Sequence, residues 1–491
     1  MLPDIAPKKL YRKMLAENDP AEKAIMQERL RALVVPGSID VNIMTKINRT
    51  NFSGGQPLPT EYCDALAALR GYALSDLNSS IVFSAGMNQG LYTYLTQFDD
   101  FFPDSNGELK KKVTLKVSDL RSAEIQGKFL AKRGIWVSEY RIESGLNCGG
   151  HAFPTKGHLL GPILEQFKYQ RHELIDKLFT IYNKSLAVNG RKVMDDYPSV
   201  RFTVQGGIGS YAENDLLLEY YNMDGTGWGT PFLLVPEVTS IDNAHLVKLS
   251  EATEKDVYLS DSSPFGLPFW NLRNSDSENA RRRRISEGKP GSSCPKGFLV
   301  NNTKLSGTPF CLASRIYQEM KLKSLNENGY TPEQLSAVSE NLLAKSCICH
   351  DLSGSVKLKN DIESKATPAL CCGPNIVNFS KIATLKEMVD HIYGRGTLLT
   401  CTDRPHMFVR EMMLYLDYLR DELEIFSLKL STRKQLYFTE FKKNLLDGLE
   451  YYQRTAETFV KGEWKSFRDD LKSMHKAIEA LDLDLDPVVS T

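Results

Sequence analysis

Two groups of residues in this 491-residue chain have types and spacings that could do chemistry. The first is a set of three glycine-rich turns: ESGLNCGGH (Glu143–His151), VQGGIGS (Val204–Ser210) and GWGTPFL (Gly227–Leu233). Glycine just after a strand lets the backbone approach a ligand, and the N–H groups opening the next helix face an anion. Three such turns point to a phosphate-bearing cofactor above the C-terminal edge of a sheet or barrel. Gly206, Gly207 and Gly209 would form one half of a phosphate cup. Gly227, Trp228, Gly229 and Thr230 would form the other, with Thr230 adding a hydroxyl. Either motif alone reads equally as a turn that demands positive φ. His151 ends the first turn, where an imidazole titrating near working pH can act as general base. Its plain alternative is a histidine hydrogen-bonded within a loop. Cys148 beside it has no visible base partner and reads as packing.

The second group is the cysteines. Seven of the nine lie between Cys294 and Cys401. Cys294, Cys311, Cys347, Cys349 and Cys371 are candidate ligands for an iron–sulfur cluster or a structural zinc, with His350 as a spare. C-x-C and C-C (Cys371-Cys372) are poorer metal signatures than paired C-x-x-C. Free cysteine is also commonly just buried, so that reading stays open.

Strands and helices must carry these groups. Apolar, β-branched runs predict strands at Ser38–Met44, Ser79–Gly86, Lys112–Asp119, Ile135–Gly145 and Ser199–Gly207, with a short sixth strand in Met223–Leu233. Between them lie helical patterns, including a long amphipathic one over Leu159–Leu186. Lys8–Leu33 reads as two short helices or one helix broken at Asn18-Asp19-Pro20. Strands alternating with helices predict a parallel α/β fold, here a TIM-type (β/α) barrel whose first two strands are not recognisable. The expected organisation is a β/α barrel over 1–274, a Cys-rich extension over 275–402 and an α-helical region over 403–491. Ser275–Ser293 reads as a polar linker or surface loop, and its Arg281–Arg284 run as solvated, since no aromatics interleave it.

Composition bounds the function. With 61 basic and 61 acidic residues, the formal charge is zero and favours neither nucleic acid nor a membrane surface as partner. No apolar run is long enough to span a bilayer and the N-terminus is charged, so the cytoplasm is the expected location. The closing helices, rich in Tyr, Phe and Leu, would form a core or an interface to a second copy or a partner chain.

WVSEYRIESGLNCGGH (Trp136–His151), followed by FTVQGGIGSYAENDLLLEYYNMDGTGWGTPFLLVPE (Phe202–Glu237), resembles the nitronate monooxygenase (2-nitropropane dioxygenase) family of FMN-dependent barrels. The related enoyl-acyl-carrier-protein reductase II shares this pattern. VYLSDSSPFGLPFWNLRN (Val257–Asn274) is similar to the family's post-barrel segment, so the likeness runs from about Val41 to Asn274. It implies His151 as catalytic base and FMN phosphate on Gly206, Gly207 and Gly227–Thr230. It also implies flavin contacts from Asn42 and Lys116, and counts Gly161, matched to a glycine after the His turn, among the cofactor-binding residues. Two departures stand out. The family's first two strands have no counterpart before Val41, and Asn147-Cys148 and Trp228 replace the usual small residues and Met. The expected activity is oxidation of a small carbon acid, such as an alkyl nitronate, by FMN and dioxygen. The alternatives are an NAD(P)H-dependent enoyl-thioester reductase and a non-catalytic subunit completed by a partner. CPKGFLVNNTKLSGTPFCLAS (Cys294–Ser314) resembles a Cys-Pro…Cys segment that follows the barrel in some related proteins.

Overall fold

The strand-forming runs pair side by side in chain order. β1 (Val41–Ile43), β2 (Ser79–Phe83), β3 (Lys111–Val117), β4 (Val137–Glu143), β5 (Arg201–Gln205) and β6 (Gly225–Gly227) form one parallel sheet in the order β1-β2-β3-β4-β5-β6. The computed structural model describes the chain apart from residues 1–4, 35–36, 44–48, 85, 148–155, 295–296, 301, 306, 308, 326, 328, 401–403, 460–465 and 484–491.

Alternation of side chains gives the sheet two unlike faces. Ile81, Leu115, Tyr140, Ile142, Phe202 and Val204 are buried on one face. Helices α3 (Leu120–Ala131) and α4 (Leu160–Val188) cover that face, and the N-terminal helices α1 (Ala6–Ala16) and α2 (Pro20–Ala32) pack on each other. Tyr140 stacks on Phe202 at 5.4 Å, and Phe167 of α4 sits 5.7 Å from Phe202. The other face is polar. In register along it run Thr114 with Glu139, Lys116 with Arg141, Glu139 with Arg201, Arg141 with Thr203, and Glu143 with Gln205.

That polar face and the strand count correct the expected barrel. A closed barrel of that kind has eight strands and fills its interior with layers of bulky branched side chains. Here β1 and β6 stand at opposite edges and no pairing joins them among the described residues. The result is an open, half-barrel sheet with a charged inner face.

A second correction concerns Ser275–Ser293. Most of it is helix α6 (Asp276–Ser286) rather than a loop. The Ser275 hydroxyl accepts from Glu278 N–H, Glu278 pairs with Arg281 at 2.7 Å, and arginines sit in the last turn. Capping, an i,i+3 ion pair and charges matched to the helix dipole outweigh the absence of an apolar stripe.

After the sheet, β7 (Val257–Ser260) and β8 (Phe269–Leu272) form an antiparallel ribbon. Helices α7 (Arg315–Leu325) and α8 (Pro332–Ala344) close on a small core of Tyr317, Leu325 and Leu342. The chain then builds α9 (Met407–Ser427), α10 (Gln435–Phe459) and α11 (Phe467–Glu479). Their apolar faces belong to the same continuous core as the sheet and α4. Phe408 stacks on Tyr452 at 4.8 Å and meets Tyr221 edge-on at 6.0 Å. No described helix is long and apolar enough to cross a membrane.

Candidate functional site

The inner face of the sheet concentrates charge. Glu143 Oε1 accepts from Gln205 Nε2 at 2.6 Å and from Asn147 Nδ2 at 2.8 Å, and pairs with Lys116 Nζ at 3.1 Å. The Lys116 and Glu143 side chains are only 6% and 10% exposed. Glu139 Oε1 accepts from Thr203 Oγ1 at 2.7 Å and from Arg141 Nε at 2.9 Å. Arg201 approaches the other Glu139 oxygen at 3.9 Å. Each carboxylate thus has a cation and a neutral donor, the arrangement that makes burial of charge tolerable. Beside this network lies a cavity of about 330 Å³, lined by Arg141, Asn147, Arg201, Gln205 and Trp228 among others. Sequence reasoning found Lys116 but missed Glu143, Arg141 and Gln205. The available signal was the polar residue at every second position of β4 and β5. Asn42 lies on edge strand β1, exposed.

At the C-terminal end of β5, Gly206 and Gly207 have φ of 106° and 84°. A Cβ on Gly206 would lie 2.9 Å from the Asn147 backbone nitrogen, and one on Gly207 2.7 Å from Leu146 Cδ1. Only glycine fits either position. The N–H groups of Gly207, Ile208 and Gly229 have no backbone acceptor among the described residues, whereas the Gln205–Gly227 pairing turns the Gly206 N–H toward Gly227 O. Gly227 and Gly229 also line the cavity, while Thr230 is buried at the start of a 3₁₀ turn.

Gly209 differs from its neighbours. Its N–H donates to Glu213 Oε2 at 2.8 Å, as does Ser210 N–H at 3.2 Å. Glu213 belongs to the short helix α5 (Tyr211–Asp215), capped by Ser210, and its carboxylate also meets Arg404 and Met407 N–H. Burial would push this carboxyl up, but Arg404, His406 and the two backbone donors outweigh it and hold it below the usual range. The protein's own carboxylate therefore takes the anion position at Gly209. The Trp228 indole N–H points at Thr226 Oγ1, 3.2 Å away, and its ring meets His391 edge-on at 5.9 Å.

His151 and Cys148 lie outside the described residues. Both flanks of their turn are gripped by later parts of the chain. Before it, Trp270 Nε1 donates to Gly145 O at 3.3 Å, and Gly145 N–H and the Ser144 and Tyr415 hydroxyls bond the Glu411 carboxyl. After it, Leu160 N–H donates to Glu411 Oε2 at 2.8 Å and Asn444 Nδ2 to Lys156 O at 2.8 Å. Gly161 N–H donates to Tyr452 Oη at 2.9 Å, and a Cβ there would sit 2.4 Å from the Tyr452 ring. Gly161, expected near the cofactor, is placed where α10 crosses the start of α4. Glu411 is fully buried, which pushes its carboxyl up to about 7.

Four of the five expected cysteine ligands come together. The Cys347 and Cys349 thiols hydrogen-bond each other, and Cys294 and Cys311 lie within electrostatic reach of them. Cys371 is half-buried in the stretch before the Pro374–Asn378 turn. His350 is engaged by Asp351 at 3.1 Å and Glu363 at 3.4 Å. Among the described residues no group of three or more His, Cys, Asp or Glu is arranged to hold a single metal ion.

No family model matches the chain, and no curated protein matches it. Among solved structures, the enoyl reductase domain of MlnA from the macrolactin biosynthesis cluster of Bacillus amyloliquefaciens aligns over 92% of this chain and 89% of that one. The identity is 12% and the TM-score 0.38, a similarity too low to transfer fold or activity.

Proposed function

We propose that this chain is an FMN-dependent oxidoreductase that acts on small carbon acids such as alkyl nitronates, the activity implied by its resemblance to nitronate monooxygenases. The observation that carries this reading is the set of N–H groups at Gly207, Ile208 and Gly229 that have no backbone acceptor among the described residues. They follow adjacent strands, and Gly229 lines a cavity whose walls include Arg141 and Arg201 as well as Asp40 and Glu139. The fit to a phosphate is chemical as well as steric. Successive amide donors beside positive-φ glycines can form an anion-binding concavity, and glycine at 206 and 207 lets this turn pass close to Asn147 and Leu146. A volume of about 330 Å³ lies at the lower end of cofactor and ligand sites.

The Gly207, Ile208 and Gly229 N–H groups would hold the phosphate, with Gly206 shaping the turn and Arg141 and Arg201 supplying positive potential. When bound, FMN would supply the electron acceptor and its reoxidation by dioxygen. Glu143, fixed by Lys116 and Gln205, keeps Asn147 aimed along the cavity wall. His151 follows four residues later, and as general base it would take the α-proton of a neutral carbon acid such as a nitroalkane, a step that a nitronate, already deprotonated, does not need.

The test is the absorption spectrum of the purified chain before and after heat release of bound cofactor. A flavin spectrum with FMN in the supernatant is expected, bleached anaerobically by an alkyl nitronate. Bleaching by NAD(P)H instead would move the assignment to enoyl-thioester reduction. A colourless chain that does not take up added FMN would overturn the reading.

A further inference from the structure

The cysteine-rich segment brings three separate stretches of chain to one place. Ser292 N–H donates to Ala313 O at 3.0 Å and Arg315 N–H to Ser292 O at 2.9 Å, lacing the Cys294 loop to the turn that begins at Cys311. Ser346 N–H donates to Ser262 O at 3.0 Å and anchors the Cys347-Ile348-Cys349 turn beneath the β7–β8 ribbon. Cys347 and Cys349 are hydrogen-bonded, the Ser292 hydroxyl lies beside Cys347, and Cys294 and Cys311 complete a group of four thiols. Cys294 has φ of 50°, a left-handed conformation that a non-glycine residue holds only where its surroundings impose it.

A second, independent observation concerns the donors around these thiols. Ser346, directly before Cys347, is 2% exposed, and its hydroxyl has no partner. The buried Nε atoms of Arg284 and Arg315 have none either. Arg284 is close enough to Cys347, Asp351 and Arg315 for their charges to act on it. Unpartnered buried Nε–H and hydroxyl donors in the segments that carry and adjoin these thiols suit a bound group that is anionic and accepts hydrogen bonds through sulfur.

We propose that Cys294, Cys311, Cys347 and Cys349 are the four ligands of an iron–sulfur cluster. Four thiolates on a cubane of iron and sulfide carry net negative charge, which Arg284 and Arg315 offset, and the sulfurs accept from Ser346 and the two Nε atoms. The alternative, a structural zinc, needs its ligands focused on one point at about 2.3 Å for sulfur. No three described groups are so arranged. The assignment does not depend on flavin binding.

The full-length chain, purified without oxygen and reconstituted with ferrous iron and sulfide, tests it. About four irons and four acid-labile sulfides per chain should survive desalting, with broad visible absorption that dithionite bleaches and a paramagnetic signal on reduction. C347S/C349S should lose at least nine-tenths of the iron while keeping its flavin content. Should that double variant fail to fold, Arg284→Gln decides: iron retained, with the cluster's reduction potential shifted to more negative values by loss of a nearby positive charge. No iron after desalting, one zinc per chain without sulfide, undiminished iron in a folded C347S/C349S chain, or an unmoved potential in Arg284→Gln would each overturn the proposal.

Discussion

Glu411 is a fully buried carboxyl, held by donors from both flanks of the His151 turn. Burial raises it from the usual 4.5 to about 7, so the folded chain keeps a proton that the unfolded chain gives up between those values. Its contribution to stability is complete below about pH 4.5 and is lost as pH rises through about 7. At about 1.4 kcal/mol per pKa unit, the loss amounts to about 3 kcal/mol. Glu411→Gln keeps an acceptor for Leu160 N–H and cannot ionise. Thermal melts of the two proteins should therefore converge at pH 5 and separate by pH 8, with the Gln variant the more stable. Parallel melting curves across that range would refute the assignment. Nothing in the sequence marks this residue, because a glutamate in an amphipathic helix reads as solvent-facing. The glycines at 206 and 207 were legible for the opposite reason: a double glycine after an apolar run has few uses besides positive φ at a close approach.

Elements were easier to read than the contacts between them. The strand expected over Ser79–Gly86 is Ser79–Phe83, and the helix expected over Leu159–Leu186 is Leu160–Val188. Alternation and 3.6-residue periodicity suffice for these, since each element buries one face. Helix α6 escaped because polar composition hid a Ser275-x-x-Glu278 start signal whose effect is local hydrogen bonding rather than an apolar stripe. Interlocking of elements lies beyond periodicity altogether. α10 seats on the start of α4 through glycine contacts: a Cβ on Gly448 would lie 2.7 Å from Leu159, and one on Gly161 2.4 Å from Tyr452. Gly161→Ala should thus act as overpacking at a helix crossing, costing about 1–3 kcal/mol, with FMN affinity of the folded fraction unchanged. Calorimetry paired with a flavin titration separates the two roles. Weaker FMN binding at an unaltered melting temperature would return Gly161 to the cofactor site, where the family resemblance puts it.

At the scale of the whole molecule, local patterns did not decide how the sheet ends. Six strand–helix repeats look alike whether the sheet closes or stays open, and closure depends on strand number, stagger and what fills the interior. The deciding feature is the row of Glu139, Arg141, Glu143, Arg201 and Gln205 on the inner face, which an apolar barrel interior would not accept. The apolar side of the sheet shows how the rest is held. Its core runs without interruption from Phe202 through Phe167 and Tyr221 to Phe408, Tyr452 and Leu471. Leu159, Leu160 and Tyr221 are buried in that core and pack against α9 and α10. Helices appended to a self-sufficient domain would leave that domain folded when removed, whereas helices that share its core would not. A chain ending at residue 402 would expose those side chains and leave Glu213 without Arg404, an uncompensated buried charge. It is expected to lose its cooperative thermal transition and bind a hydrophobic dye, with the full chain melting in one step. A truncated chain that melts cooperatively near the full-length temperature would instead show that the sheet stands alone and that the last helices are an appended domain.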